Sequence, residues 1–161
     1  MIRLAKTTDL KSITEIYNES ILNSNATFDT DVKSVEQQEL WFNNHSEQFP
    51  VSVYEQENTI MGWASLSKWS DRCAYDSTAE VSIYIHHEHR AKGLGKLMLE
   101  DLIMRAKQNG LHCLLARITE GNDASIHIHT QAGFSRVGTL KEVGKKFGRY
   151  HDVHMLQLLL S

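Results

Sequence analysis

The sequence contains a single proline, Pro50, and only two cysteines, Cys73 and Cys113. Two cysteines this far apart do not make the disulfide framework of a small secreted domain, and no close pair indicates a zinc site. We therefore expect two free thiols, as in a reducing compartment, and predict a cytoplasmic location. No repeat, low-complexity tract or interdomain linker divides the chain.

The chain also lacks a long apolar run and an excess of positive charge. The 17 lysines and arginines are outnumbered by 20 acidic residues, and a formal net charge of −3 argues against nucleic acid as the main partner. Charged residues interrupt the N-terminus, so neither a signal peptide nor a membrane partner is predicted. With 161 residues, 41% of them hydrophobic, the chain is predicted to form one domain over residues 1–161.

Hydrophobic periodicity predicts strands and helices in the order β-α-α-β-β-β-α-β-α-β-β. This order predicts an α/β domain with a mixed sheet. The predicted elements are a strand at 2–5, helices at 7–22 and 34–48, a hairpin at 51–69, a strand at 79–85, a helix at 94–108, a strand at 112–118, a helix at 122–132, and strands at 134–140 and 151–160.

One junction stands out, where the strand "AEVSIYI" passes through "HHEHRAKGLG" into the helix that follows. A helix start offers unpaired N–H groups and the positive end of the helix dipole, which together favour an anion. Gly93 and Gly95 let the backbone approach phosphate oxygens, while Arg90, Lys92 and Lys96 add positive charge. The pattern indicates a phosphate-binding loop, with an ordinary tight turn as the alternative.

The segment Arg90–Gly95 resembles the pyrophosphate-binding motif of the GCN5-related N-acetyltransferases, in which Arg or Gln, two residues and Gly-x-Gly follow a strand. A second segment, "NDASIHIHTQAGF" at 122–134, is similar to the family's helix beside the cofactor. "RCAYDSTAEVSIYIHHEHRAKGLG" and "GKKFGRYHDVHMLQLLL" resemble the phosphinothricin and methionine sulfone acetyltransferase branch. The resemblance implies a mixed, largely antiparallel sheet flanked by helices, acetyl-CoA as acetyl donor, and a homodimer.

The resemblance also implies which residues hold coenzyme A. Main-chain groups of the strand are expected to bond the pantetheine amides, by strand addition, and the loop N–H groups to hold the pyrophosphate. Asn122 and Ser125 are expected to bond the cofactor, with helix capping as the alternative. The expected cofactor residues are Ile83, Tyr84, Ile85, Arg90, Ala91, Lys92, Gly93, Leu94, Gly95, Lys96, Asn122 and Ser125.

Two residues are expected to be catalytic. Glu80 begins the strand just before the pantetheine segment and is expected to receive the proton of the attacking amine, directly or through water. A surface or salt-bridged carboxylate is the alternative. His129 stands where many superfamily members have a tyrosine that protonates the departing thiolate; a histidine can act as acid or as hydrogen-bond donor to sulfur, or it packs within the helix.

The acceptor side is expected to use the loop before Glu80, which contains Arg72, Cys73, Ala74 and Tyr75. An arginine suits a substrate carboxylate because it binds bidentately, although surface arginines are common. Across the site, the resemblance implies that Phe147, Arg149 and Tyr150 wall the pocket, or reach in from a partner subunit. The alternative is a plain hairpin tip held by Gly144 and Gly148.

Metal binding and covalent catalysis are not expected. His86, His87 and His89 directly follow a strand and are interpreted as solvated turn residues, so no metal is predicted. Neither cysteine has an evident activating base, which predicts direct attack of the amine on the thioester in a ternary complex. Two alternatives stay open: an N-terminal acetyltransferase for proteins or peptides, and a non-catalytic acyl-CoA-binding module.

Overall fold

A computed structural model describes all 161 residues. It contains one seven-stranded sheet in the order β1-β2-β3-β4-β5-β7-β6, and the predicted element order is confirmed. The strands are β1 (Ile2–Leu4), β2 (Val51–Gln56), β3 (Thr59–Lys68), β4 (Thr78–Ile85), β5 (Cys113–Thr119), β6 (Ser135–Lys146) and β7 (Arg149–Leu159). The α-helices are α1 (Leu10–Asn23), α2 (Val35–Asn43), α3 (Leu94–Gln108) and α4 (Asp123–Gln131).

The sheet is antiparallel except at its centre, which confirms the mixed, largely antiparallel class. β4 and β5 form the only parallel pair, and the pairing covers just three residues of each strand, from Thr78–Cys113 to Glu80–Leu115. Beyond Glu80 the two strands separate, while β4 stays paired with β3 up to Ile85. The sheet is therefore split between β4 and β5.

Helices cover both faces of the sheet, because strand residues alternate between two apolar clusters. On one face, Leu10 and Ile13 of α1 pack with Val53 and Trp63. On the other face, Met98, Leu99 and Leu102 of α3 pack with Ala64, Leu66, Ala79, Leu114 and Leu156. Neighbouring residues Trp63 and Ala64 thus belong to different clusters, as strand alternation requires.

Helix α2 is shorter than predicted. Its start is fixed by a capping box in which Ser34 Oγ accepts the Gln37 N–H at 3.1 Å and Gln37 Oε1 accepts the Ser34 N–H at 2.9 Å. The helix ends at Asn43, where the sequence predicted an end near residue 48. Beyond that point the chain turns, and His45 Nδ1 lies 2.8 Å from the Trp41 carbonyl oxygen.

The last hairpin is longer than predicted, because polar residues hid the continuation of its strands. β6 and β7 meet at a two-residue turn, Phe147–Gly148, in which both φ angles are positive, as in the turns that favour hairpins. The register shifts between Leu140 and Gly144. Within this bulge Glu142 donates its N–H to Asp152 Oδ1 at 2.8 Å instead of to a ladder partner.

Candidate active site

The separation of β4 from β5 leaves main-chain groups of β4 without a strand partner. Bonds from Trp69 N to Thr78 O (3.3 Å) and from His86 N to Met61 O (2.8 Å) close the two ends of the β3–β4 ladder. Antiparallel alternation then directs the main-chain groups of every second residue toward β3 and those of the others toward the gap. The groups that face the gap belong to Val81, Ile83 and Ile85.

Tyr84 therefore differs from its two neighbours in the expected cofactor set. Its main-chain groups lie on the β3 side, opposite Trp63, so they are already used in the sheet. Ile85 O also has a partner, since it accepts Arg90 Nε at 3.2 Å. The open edge consists of the carbonyl oxygen of Val81, which the sequence did not single out, the main chain of Ile83 and the N–H of Ile85.

The loop before α3 has the properties of an anion site. No backbone N–H from Arg90 to Lys96 has a protein acceptor, and all of them lie next to the helix start. Ala91 and Gly93 both have positive φ, 59° and 80°, and such turns gather N–H groups into a concave surface. Leu94 is buried and anchors the first turn of the helix.

The three cations near this loop differ in their availability. Arg90 Nη2 bonds Glu19 of α1 at 2.6 Å, so this side chain braces the loop against α1. Lys96 lies 3.9 Å from Glu100, one turn further along α3. Lys92 has no carboxylate within salt-bridge distance. Of the three, Lys92 is the one whose charge is not matched by the protein.

A cavity of about 580 Å³ opens beside the strand gap. Its walls come from β4 and β5, from the start of α4, from the α1–α2 connection and from the bulged hairpin. The residues that line it are Tyr17, Ala26, Thr27, Phe28, Asp29, Glu80, Val81, Ser82, Ile83, Tyr84, Ala116, Arg117, Ile118, Thr119, Asn122, Ser125, His129, Leu140, Val143 and Val153.

Glu80 faces this cavity, and it is not free. Arg117 of β5 donates Nη2–H to Glu80 Oε1 at 2.7 Å and Nε–H to Oε2, so each carboxylate oxygen already accepts one hydrogen bond. The carboxylate raises the pKa of the Arg117 guanidinium. The Glu80 side chain is 17% exposed, whereas that of Arg117 is 54% exposed. Arg117 was not among the residues expected from the sequence.

The expected catalytic histidine, His129, is buried within α4 at the cavity wall. Its Nδ1 lies 2.7 Å from the Ser125 carbonyl oxygen, which only accepts, so Nδ1 carries the proton. Burial lowers the pKa of the ring, although the bond to Ser125 opposes this. In the neutral ring Nε2 is therefore an acceptor, and no protein group bonds it.

Asn122 and Ser125 begin α4, and both line the cavity. Asn122 Oδ1 accepts the Ser125 N–H at 3.3 Å, so Asn122 is the N-cap of the helix. Its amide group remains available as a donor. Ser125 Oγ lies 3.4 Å from His129 Nδ1. Asn122 therefore caps the helix, as the alternative interpretation expected. Its side-chain NH2 group has no protein partner and can donate to a ligand in the cavity.

A polar cluster at the cavity joins α1 to the α1–α2 connection. Tyr17 Oη bonds Asp29 and lies 3.0 Å from Thr27 Oγ1, while the rings of Tyr17 and Tyr84 are 5.1 Å apart. Burial raises the pKa of both phenols, that of Tyr84 to about 12. Both hydroxyl groups therefore keep their protons and can act as hydrogen-bond donors at neutral pH.

The loop expected to bind substrate is a short 3-10 turn, Cys73–Tyr75, that follows Arg72. All four residues are exposed, and none of them lines the cavity. The β3–β4 connection reaches the site through a different residue, Trp69. Its ring centroid lies 5.7 Å from Arg117 Cζ, within the range of a cation–π contact.

The other expected acceptor residues lie at the far end of the last hairpin. Phe147 forms the tip with Gly148, and Arg149 bonds Glu120 at 3.3 Å. None of Phe147, Arg149 and Tyr150 lines the cavity in the single chain. Gly144 has a different role from the one expected, because a Cβ there would overlap the Phe28 ring. It allows the hairpin to pack against the α1–α2 connection.

Lys146 holds these two segments together, and no sequence pattern indicated it. Its buried Nζ donates to the carbonyl oxygens of Ser24 at 2.7 Å and Thr27 at 2.8 Å. Burial lowers the pKa of this ammonium group. Thr119 Oγ1 also bonds the segment, at Asn25 O, 2.8 Å away. The connection 24–29 is thereby fixed as one wall of the cavity.

Two further findings concern metals and membranes. The potential ligand atoms of His86, Glu88 and His89 lie within 4.8 Å of one another, and His86 Nδ1 accepts the Glu88 N–H at 3.3 Å. The absence of a metal stays a prediction. None of the helices has both the length and the apolar character needed to cross a membrane.

The family model that matches is described as an acetyltransferase (GNAT) domain, and the match covers residues 2–155. The L-amino acid N-acyltransferase MnaT of Escherichia coli (strain K12) is 35% identical over 99% of this chain and 94% of its own. The L-methionine sulfoximine/L-methionine sulfone acetyltransferase of Pseudomonas aeruginosa is 36% identical, with the same coverage.

Solved structures agree with this assignment. A phosphinothricin acetyltransferase from Sinorhizobium meliloti, in complex with AcCoA, has a TM-score of 0.96 and 35% identity, covering all of this chain and 88% of that one. The ribosomal-protein-alanine N-acetyltransferase from Brucella melitensis has a TM-score of 0.96 and 35% identity, covering 99% of each chain. The split sheet, the unpaired loop and these matches together show that the chain belongs to the GNAT family of N-acetyltransferases.

Proposed function

We propose that the protein transfers an acetyl group from acetyl-CoA to the α-amine of a small amino acid. The observation that carries this proposal is the succession of three features along β4 and the loop that follows it. These are an open edge of β4, a row of unpaired N–H groups from Arg90 to Lys96, and the carboxylate of Glu80. The names of the relatives, which act on amino acids or amino-acid analogues, support the same acceptor class.

The residues at the strand gap fit the chemistry of coenzyme A. Two pantetheine amides need main-chain partners, and the Val81 carbonyl oxygen, the main chain of Ile83 and the Ile85 N–H are directed into the gap. A pyrophosphate needs donors and positive charge, and the N–H groups of residues 90–96 with Lys92 supply them. We assign Asn122 and Ser125 to the cofactor as well, through the Asn122 amide and the Ser125 hydroxyl.

The proposed reaction is a direct transfer. The acceptor arrives as an ammonium ion and loses one proton to Glu80, directly or through water, because only the neutral amine has the lone pair for attack. A C–N bond forms at the thioester carbonyl carbon, and the C–S bond of the tetrahedral adduct then breaks. Coenzyme A leaves as a thiolate and takes up a proton as the thiol, while the Glu80 proton passes to solvent.

His129 is not well suited to supply the proton for the thiolate. Its Nδ1–H is held by Ser125, and the lowered pKa keeps Nε2 unprotonated near neutral pH. We propose that the thiolate receives the proton that the nitrogen of the adduct must lose. His129 then packs against Phe134, with ring centroids 5.0 Å apart, and offers Nε2 as a hydrogen-bond acceptor at the cavity.

The size and shape of the cavity favour a small acceptor. Its 580 Å³ lie within the usual range for small-molecule sites, and the connection 24–29 closes one side. We propose an amino acid with a compact polar head, of the methionine sulfone, methionine sulfoximine or phosphinothricin type. The segment Arg72–Tyr75, which is exposed and precedes β4, remains a candidate contact for this head group.

A second candidate is acetylation of a protein N-terminus. The similarity to the ribosomal-protein-alanine N-acetyltransferase from Brucella melitensis favours it. A peptide would have to leave the cavity past the hairpin or the α1–α2 connection, which Lys146 fastens together. A non-catalytic acyl-CoA-binding module is less well supported, since such a module does not need a carboxylate at the cavity.

We propose that the enzyme is a homodimer that pairs through the last hairpin. β6 is one of the two edge strands of the sheet, and Val137, Leu140 and Val143 on it are 56%, 46% and 54% exposed. Leu140 and Val143 also line the cavity, so a second copy on this edge would complete its wall. Sedimentation should give a dimer that Val137→Glu weakens; a monomeric parent would contradict the proposal.

We also propose that residues 1–161 act as one domain and work in the cytoplasm. A single sheet joins both ends of the chain, from Ile2 to Leu159. The exposed Cys73 is a free thiol, and exposed free thiols persist in reducing compartments.

The test of the proposed function is a thiol-release screen with acetyl-CoA. The acceptors are methionine sulfone, methionine sulfoximine, phosphinothricin, spermidine and a peptide with an N-terminal alanine. We expect the three amino acids to be acetylated fastest, with the product modified at the α-amine. Faster acetylation of the peptide or the polyamine would overturn the small-amino-acid assignment.

A further inference from the structure

An amino-acid acceptor carries a carboxylate on the same carbon atom as its amine. A cavity that selects an amino acid therefore needs a cation close to the group that receives the amine proton. Arg117 is the one arginine or lysine that lines the cavity. Its side chain is 54% exposed and is ion-paired only with Glu80, the expected base. The two groups that an amino-acid zwitterion requires therefore stand next to each other.

The guanidinium of Arg117 has donors left for a ligand. An arginine offers five N–H groups, and Glu80 takes the Nε–H and one Nη2–H. The Nη1 group and the second Nη2–H have no protein acceptor. Their forked arrangement matches the two oxygens of a carboxylate.

The backbone explains why this arginine reaches across the site. β4 and β5 are paired only as far as Glu80 and Leu115. Arg117 lies two residues further along β5, where the strands have separated, and its side chain spans the gap to Glu80. Trp69 lies against the guanidinium at 5.7 Å and limits its movement on the side of the β3–β4 connection.

The ion pair also restricts the base. Each oxygen of Glu80 accepts an N–H from Arg117, and a proton on Glu80 removes the charge that strengthens this contact, so the contact opposes proton uptake. A substrate carboxylate competes with Glu80 for the Arg117 guanidinium. This competition begins when the ammonium group of the same substrate arrives beside Glu80.

We propose that Arg117 binds the α-carboxylate of the acceptor and, by exchanging this carboxylate for Glu80, releases Glu80 to take the proton of the α-ammonium group. This inference rests on the proposed function. It assigns the carboxylate site to Arg117 and not to Arg72, which lies exposed outside the cavity. It also makes the base dependent on the presence of an amino-acid substrate.

The test compares methionine sulfone with its decarboxylated form, 3-(methylsulfonyl)propylamine, by kcat/KM. In the parent enzyme the amino acid should be preferred about tenfold to a hundredfold, the range for one charge-assisted contact. Arg117→Gln should abolish this preference. It should lower the rate with the amino acid and raise the rate with the amine, because Glu80 is then free from the start.

Three outcomes would overturn the proposal. An equal fall with both substrates in a folded Arg117→Gln enzyme would mean that Arg117 only supports the site. An amine rate that does not rise would refute the release of Glu80. A loss of preference in Arg72→Gln, with Arg117→Gln unaffected, would return the carboxylate to the loop.

Controls separate this proposal from the function on which it rests. Lys107→Gln changes an exposed cation of α3 outside the cavity and should leave both rates unchanged. Arg117→Lys keeps the charge without the fork and should recover part of the preference. If the parent binds acetyl-CoA but acetylates no amino acid, the proposed function fails, whereas the outcomes above concern only Arg117.

Discussion

The two sides of the cavity are built differently. The proposed cofactor side is nearly continuous in sequence: residues 81–85 give the open strand edge, and residues 90–96 give the unpaired N–H groups that follow it. The acceptor side joins distant segments, since Lys146 bonds Ser24 across 122 residues and Thr119 bonds Asn25 across 94. One side is a local motif, and the other exists only in the folded chain.

The difference has a functional consequence. Main-chain groups at a strand edge and a helix start recognise what every acyl-CoA shares, whatever the acceptor. In the proposed function, side chains from β5, the α1–α2 connection and the last hairpin recognise the acceptor. Substitutions on one side should therefore change the kinetic constants of one substrate only.

The largest effect is expected for Glu80→Gln, where the two sides meet. The amide cannot take the ammonium proton, so kcat should fall by ~10²–10⁴-fold, the usual contribution of a general base. The rise in melting temperature caused by acetyl-CoA should remain. Asp29→Asn tests the other carboxylate of the cavity; if that change lowers kcat more than Glu80→Gln does, the base has been assigned to the wrong residue.

Gly93→Val should weaken acetyl-CoA binding by roughly tenfold to a hundredfold, the value of a charged hydrogen bond. Gly93 has φ of +80°, and a side chain there forces the loop to change. Gly110→Val is the matched control, with φ of +76° at the other end of α3 and equally open space. Each of the two variants should lose about 1–2 kcal/mol of stability. If both variants lose the same affinity for acetyl-CoA, the assignment of the loop to the cofactor is wrong.

Lys146→Met should lower the free energy of unfolding by roughly 1–3 kcal/mol, because it leaves two carbonyl oxygens without their donor. The connection 24–29 should loosen, so KM should rise for the amino acid and not for acetyl-CoA. Lys145→Met changes the exposed neighbour and serves as the control. Urea unfolding with paired KM measurements checks this, and a shift in the acetyl-CoA constant would speak against separate sides.

The smallest effect concerns pH. Burial lowers the pKa of His129 and of His45, so below about pH 6.5 the unfolded chain binds protons that the folded chain does not. The free energy of unfolding should therefore fall as pH falls through this range, by at most about 1.4 kcal/mol per pH unit for each group.

His129→Gln should remove part of that slope, as measured by urea unfolding near pH 7.5 and pH 5.5. His127→Gln, an exposed position on the same helix, should keep it. A slope that His129→Gln leaves intact would mean that His129 is accessible to protons in the folded chain.

The sequence predicted the element order and the loop because both depend on neighbouring residues. Apolar spacing, turn residues and helix caps act over a few positions, which is why α3 begins and ends where expected. The long hairpin was underestimated because its bulge at Leu140–Gly144 interrupts the alternation of side chains and polar residues follow the bulge.

The acceptor side was predicted less well, for a physical reason. Arg117 gave one local signal, as the only charged residue in the apolar strand β5, but its partner Glu80 could be known only from the pairing of β4 with β5. Lys146 gave none, since it follows Lys145 in a polar segment. The expected contacts at Arg72–Tyr75 were placed by resemblance, and the folded loop lies outside the cavity wall.

The most direct test of the two-sided account is a pair of Michaelis constants for two variants, measured with methionine sulfone and acetyl-CoA. Gly93→Val should raise the KM for acetyl-CoA and leave that for methionine sulfone unchanged. Arg117→Gln should raise the KM for methionine sulfone and leave that for acetyl-CoA unchanged. If either variant raises both constants equally, the two sides are one coupled site and the account is wrong.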